Sequence, residues 1–155
     1  MLLPVKKILA PTDYSELSYK GVVAADELAR HFGAELLLIN VVTSMQVLQP
    51  IDSTIQTSYQ ISNMFEDFMD IARANMDFVI NKKVSDGVVN RSFVLSGSPA
   101  EEIVKLASEE NVDAIVIATH GFTGWRRIVF GLVAERVVRF AECPVITIPA
   151  GKDEK

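Results

Sequence analysis

Five short runs of aliphatic and β-branched residues, separated by helical patterns, constrain this chain more than any other feature. They are "KKILAPT", "AELLLINVV", "VNRSFVLS", "DAIVIAT" and "CPVITIP". Runs this apolar, without strict alternation, suit strands covered on both faces. The stretches between them carry helix signals. "SELSYKGVVAADELARHFG" ends in Gly33, which suits a helix C-cap. "SNMFEDFMDIARANMDFVINKKV" places Phe65, Phe68, Met69, Ala72, Met76 and Val79 on one stripe, which reads as core. "SPAEEIVKLASEEN" opens with Ser98 as N-cap, Pro99 at the first helical position and Glu101 completing a capping box. "LVAERVVRFAE" is the last helical pattern, and "TSMQVLQPIDSTIQTSYQ" reads as a surface loop leading into the long second helix. Alternating strands and helices imply right-handed crossovers, hence an α/β fold whose open parallel sheet has helices on both faces.

The 155 residues suit one domain, read here as residues 1–150 with a frayed tail at 151–155. A net charge of −5 leaves no excess cation to displace counterions from phosphates, which argues against a general nucleic-acid binder. Cys143 stands alone and cannot form an internal disulfide, as expected in a reducing cytosol. The start "MLLPVKKILAPTD" does not read as a signal peptide, and no apolar run approaches the ~20 residues a membrane span needs. The expectation is a cytoplasmic protein without membrane contact.

Ligands of open parallel sheets bind beyond the carboxyl ends of the strands, where the strand order reverses. Two orders are compatible with the pattern, 2-1-3-4-5 and 3-2-1-4-5. In the second, strands 1 and 4 meet at the reversal, and so do the loops that follow them: "PTD" (Pro11, Thr12, Asp13) and the glycine-rich "HGFTGWRRIVFG". Asp13 either accepts ribose hydroxyls or caps the first helix. Gly121 and Gly124 are turn formers at the least. Gly131, directly before an apolar helix, lets backbone N–H groups at a helix N-terminus approach an anion.

Several nucleotide folds are excluded by what is missing. No G-x-G-x-x-G follows strand 1 and no acid ends strand 2, which removes a dinucleotide-binding Rossmann domain. There is no G-x-x-x-x-G-K-[ST], hence no P-loop. A receiver domain would need clustered acids at strand 1 and a Lys ending strand 5, where this chain has Asp13 alone and Pro149.

Together, "KKILAPTD", "LLLINVV", "GSPAEEIVKLA", "VDAIVIATHGFTG" and "FGLVAERVVRFAECPVITIP" resemble the universal stress protein family over Val5 to Ile148. The resemblance implies a Rossmann-like sheet of the adenine nucleotide alpha hydrolase type, in the order 3-2-1-4-5, assembled as a homodimer. It also implies ATP, accompanied by Mg²⁺, as ligand. ATP-binding members carry G-x-x-G-x9-G-[ST]. Here Gly121 matches the second glycine and Gly131 the third, but Ala118 holds the first glycine position and Leu132 the hydroxyl position.

The implied nucleotide site is Pro11, Thr12, Asp13, Val41, Ala118, His120, Gly121, Gly131, Leu132 and Val133, with Val41 giving a backbone contact to adenine. Losing the hydroxyl at Leu132 removes a bond worth ~1.5–3 kcal/mol, or roughly 10- to 100-fold in affinity, while its backbone N–H survives. Ala118 is tolerated if its backbone is strand-like and strained if φ is positive. Arg126 and Arg127 either pair with phosphates or are solvated loop charges. Trp125 reads as a hydrophobic anchor, Cys143 as a small core residue, and His120 has no second ligand at metal spacing.

Strand 5, Val145, Ile146, Thr147 and Ile148, would be an apolar edge without an inward charge, which invites pairing; the resemblance implies an antiparallel pairing of two copies there. Three functions are compatible with these residues. The first is a nucleotide-binding stress or signalling protein, and the second a dimeric interaction protein without nucleotide. A slow ATPase ranks last, because no residue pair looks like an activated nucleophile with its base.

Overall fold

Each apolar run becomes a strand because its neighbours on both faces are helices. The computed structural model describes residues 4–43, 58–119, 131–149 and 151. In it, β1 (Lys7–Pro11), α1 (Glu16–Phe32), β2 (Glu35–Val42), α2 (Ser58–Lys83), β3 (Asn90–Ser96), α3 (Pro99–Glu109), β4 (Ala114–Thr119), α4 (Leu132–Phe140) and β5 (Val145–Pro149) follow one another along the chain. The sheet is parallel throughout, in the order β3-β2-β1-β4-β5. Of the two orders the pattern left open, this is the one with β1 and β4 side by side.

Successive residues of each central strand serve opposite faces. Leu9, Leu37, Ile39, Ile115 and Ile117 pack with Ile103 and Leu106 of α3 and Val137 of α4. Ile8, Ala10, Leu36, Leu38 and Val116 pack with Val22 and Ala25 of α1 and Met76 and Val79 of α2. The methionine and aromatic stripe of α2 is core as expected, with Phe65 and Phe68 partly buried beside Met69 and Ala72.

Helix ends confirm some of the local signals and correct one. Gly33 terminates α1 in the left-handed region (φ 64°), its N–H donating to the Ala29 carbonyl. Ser98 and Pro99 start α3, but the capping box does not form, since the Ser98 side chain makes no capping bond. The Glu101 carboxylate instead lies 3.3 Å from Nη2 of Arg136 on α4, an ion pair that ties two helices together. Helix α2 also begins earlier than its periodicity suggested, at Ser58, so residues 58–60 are helical; residues 44–57 of the expected loop lie outside the described residues. Its far end is held by the buried Asp26 of α1, whose carboxylate accepts the Ser85 N–H at 2.9 Å and the Ser85 hydroxyl at 2.6 Å.

The seam between β1 and β4 is asymmetric. At its amino end, one carboxylate oxygen of Asp113 accepts the backbone N–H groups of Lys6 (2.7 Å) and Lys7 (2.9 Å), while the Asp113 N–H donates to the Lys7 carbonyl. The ladder then comprises Ile8–Ala114 and Leu9–Ile115, against five paired positions between β1 and β2. The seam is thus fastened at the bottom and parts towards the carboxyl ends. Asp113→Ala removes charge-assisted bonds worth ~1.5–3 kcal/mol each, partly replaced by water because Lys6 is exposed; a net loss of about 2 kcal/mol in urea-unfolding free energy is expected.

Candidate functional site

Where the seam parts, a cleft of about 340 Å³ opens at the carboxyl edge of the sheet. Its lining comes from the end of β1 and the turn after it (Pro11, Thr12, Asp13), β2 (Ile39, Asn40, Val41), β4 (Ile117, Ala118), and the starts of α1, α3 and α4. Ile39, Ile103 and Ile117 make one apolar wall on the α3–α4 face. A mostly apolar cleft with a few convergent polar groups, at the low end of the usual ~300–1,000 Å³, is the general form of a small-ligand site.

The polar side is organised by the turn between β1 and α1. The Thr12 N–H extends the β1–β2 ladder by donating to the Ile39 carbonyl at 2.9 Å. The Thr12 hydroxyl is buried, 2.8 Å from that of Ser18, and accepts the Tyr14 N–H at 3.0 Å. Ser15 caps α1 by accepting the Ser18 N–H at 3.1 Å, and Asp13 in turn accepts the Ser15 N–H at 3.0 Å. Asp13 is therefore not the helix cap; it sits two residues earlier, exposed on the rim of the cleft. Partial burial pushes its pKa up, but hydrogen bonds from Ser15 and Ser18 outweigh this and hold the carboxyl below its ordinary value, so it is an anion at neutral pH.

Across the cleft, Gly131 precedes α4 in an extended conformation (φ −60°, ψ 152°) and provides no side-chain cap. The first turn of a helix leaves N–H groups without intrahelical partners, and here Leu132, Val133 and Ala134 border the cleft. This end of α4 can receive an anion through backbone N–H groups and the helix dipole. The Leu132 side chain is 74% exposed, so it takes no part in the core.

Ala118 is a strand residue paired with Ile148, outside the positive-φ region, and so carries no backbone strain. Its methyl also faces away from the α3–α4 wall. Alternation turns it towards α1, where a Cβ built on Gly21 would lie 3.4 Å from the Ala118 Cβ and 2.9 Å from its backbone nitrogen. The helix approaches the strand that closely because Gly21 has no side chain.

The cleft thus gathers Pro11, Thr12, Asp13, Val41, Ala118, Gly131, Leu132 and Val133, eight residues singled out from the sequence. His120, Gly121, Arg126 and Arg127, with Trp125, lie outside the described residues. Lining residues that sequence reasoning passed over include Asn40, Ser15, Ser18 and Ile103. Asn40 was detectable as the lone amide inside "LLLINVV"; it is buried and donates from Nδ2 to the Thr12 carbonyl at 2.9 Å, locking the end of β1 to β2. Ile103 had no local signal, since only the crossover brings α3 over the cleft. Cys143 is half-buried against the α3–α4 core, and burial raises its thiol pKa.

A doubly wound sheet with its cleft at the strand reversal is the ligand-site architecture of open α/β proteins. Within that class, the chain belongs to the universal stress protein family, whose model matches residues 4–149. It is 36% identical to universal stress protein MJ0531 of Methanocaldococcus jannaschii, over 96% of this chain and 85% of that protein. It also superposes on the solved structure of MJ0577, with a TM-score of 0.76, 25% identity and coverage of 96% of this chain and 99% of that one. A universal stress protein solved in complex with cAMP shares the fold at a TM-score of 0.59 and 19% identity, covering 95% of this chain and 98% of its own. One from Archaeoglobus fulgidus in complex with dAMP does so at 0.55 and 21%, with 94% and 98% covered. Among the described residues, no helix is long and apolar enough to cross a membrane.

The contact between Gly21 and Ala118 separates packing from ligand chemistry. Gly21→Ala gains up to ~1 kcal/mol of helix propensity but drives a methyl onto a backbone nitrogen, and overpacking of that kind costs ~1–3 kcal/mol, so net destabilisation is expected in thermal unfolding. Ala118→Gly should lower stability by about 1 kcal/mol through added chain entropy and yet leave the affinity of any ligand in the cleft within about twofold, measured by calorimetry.

Proposed function

We propose that this protein binds an adenine nucleotide, ATP accompanied by Mg²⁺, in the cleft between β1 and β4, and acts as a nucleotide-responsive stress or signalling protein of the cytoplasm rather than as an enzyme. The observation that carries the reading is that an ionised Asp13 and the uncapped N-terminus of α4 border one apolar cleft. A nucleoside phosphate needs those three chemistries together: an acceptor for ribose hydroxyls, donors for phosphate, and a flat apolar wall for the base. Asp13 would hold the ribose, the Val41 backbone the adenine, and the N–H groups after Gly131 the phosphates, with Mg²⁺ offsetting phosphate charge. The glycine loop with Gly121, His120, Arg126 and Arg127 would complete the phosphate side. The adenine nucleotides bound by two proteins of the same fold support this choice of ligand.

Calorimetric titration of nucleotide-stripped protein with Mg·ATP, carried to ~1 mM or above, is expected to show saturable binding near one site per chain. Asp13→Ala and Gly131→Val should each weaken it by more than about tenfold; unchanged affinity in both overturns the reading. Because Gly131 has an ordinary φ, valine there introduces no backbone strain, and its effect reports the approach of the anion. Leu132→Ser, which returns a hydroxyl to the helix start, should tighten binding by about tenfold. No binding by the unaltered chain would favour the interaction-protein reading.

We also propose a homodimer through β5. This strand is an edge of the sheet, Val145 to Ile148 carry no charge, and Ile146 is 39% exposed. A charge introduced by Ile146→Lys should shift sedimentation-equilibrium mass from two chains towards one; a monomeric parent protein would remove the proposal.

A further inference from the structure

The turn that presents Asp13 contains a conformation its sequence does not favour. Tyr14 has φ +66°, in the left-handed region where Cβ crowds the following carbonyl oxygen. Glycine, or Asn and Asp with their local side-chain bonds, occupies that region readily; a bulky aromatic does so only when its surroundings impose it. Asn111, the other described non-glycine residue there, is of the tolerant type.

What imposes it on Tyr14 is visible. Its N–H is held by the Thr12 hydroxyl at 3.0 Å, and its own hydroxyl reaches across to donate to the Ala72 carbonyl in the middle of α2 at 2.6 Å. That carbonyl is already part of the helix ladder, but a carbonyl oxygen accepts twice. The ring lies between two apolar clusters, one of which contains Val42, Met69 and Ala72. Burial pushes the phenol pKa well up, with smaller contributions from Tyr19 and Asp77, so the hydroxyl remains a donor at neutral pH. Among the described residues, the other bonds of Asp13, Tyr14 and Ser15 stay within the turn and the first turn of α1. The Tyr14–Ala72 bond is the one that anchors this short stretch to a distant element.

We infer that Tyr14 is a positioning residue for the cleft: its bond to α2 holds the turn in the left-handed conformation that folds Asp13 back onto Ser15 and fixes the carboxylate at the rim. The inference rests on the nucleotide reading of the cleft for its functional consequence, and on geometry alone for the link between Tyr14 and Asp13. It makes α2, none of whose described residues lines the cleft, part of the apparatus that orients the ribose-facing acid.

Tyr14→Phe removes only the hydroxyl and keeps the packed ring. Three readouts on the full chain test it: Mg·ATP affinity by calorimetry, the titration midpoint of the Asp13 carboxyl by carbon-detected NMR, and thermal stability. The expected result is affinity lowered about fivefold, the worth of one ordinary hydrogen bond, together with an Asp13 midpoint moved up towards the usual carboxylate value as the Ser15 bond loosens. A residue that merely packs α2 would lower the melting temperature and leave the Asp13 midpoint and the affinity in place, and that result overturns the inference. If the unaltered protein takes up no Mg·ATP while the midpoint still moves, the nucleotide reading fails and the Tyr14–Asp13 link stands.

Discussion

Between β1 and β4 the direction in which the chain winds across the sheet reverses, and the rest of the molecule is arranged around that seam. At its amino end it is fastened by the Asp113 carboxylate and the backbone N–H groups of Lys6 and Lys7. At its carboxyl end β1 turns its remaining bonds towards β2, through Thr12 to Ile39 and Asn40 to Thr12, and leaves β4. Crossovers on either side of the seam carry α1 and α2 to one face and α3 and α4 to the other. The chain leaves β1 and β4 in opposite directions across the sheet, so a cleft at their carboxyl ends is the geometric consequence of the winding.

That origin explains why the site is built largely from backbone and small residues. The edge of a parallel sheet brings helix N-termini together, and an N-terminus supplies N–H donors and a dipole without any particular side chain. A protein with a net charge of −5 gains most from such donors, since they attract an anion without adding cations elsewhere. It also explains how Leu132 can stand where the family motif has a hydroxyl: its side chain is in solvent, while its N–H keeps its place at the start of α4. The same backbone logic holds on the opposite rim, where Asp13 is oriented by main-chain N–H groups and by a tyrosine whose anchor lies on α2.

Much of the fold was legible in the sequence. The apolar runs and the helix stripes between them predicted strands and helices that the structure contains, because burial on both faces requires residues apolar without alternation. Cap signals were read with less success. Gly33 ends its helix as expected, whereas the Ser98–Glu101 box does not form and Glu101 pairs with Arg136, which is distant in sequence. Asp13, taken alone, read as a helix cap somewhat more readily than as a ligand contact; the register of the turn assigned the cap to Ser15.

The sequence by itself determined the fold class and the family, because periodicity and motif spacing are local properties carried along the chain. Tertiary structure alone decided the rest. It realised the strand order that periodicity left open and the family resemblance implied, and placed Ile103 over the cleft. It turned the Ala118 methyl towards Gly21, where the sequence could pose only the question of strain. It also held Tyr14 in a left-handed conformation that no local propensity would select. The reason is the same in each case: these outcomes depend on which residues, far apart in the chain, come to lie within a few ångströms of one another, and a one-dimensional pattern does not contain that distance.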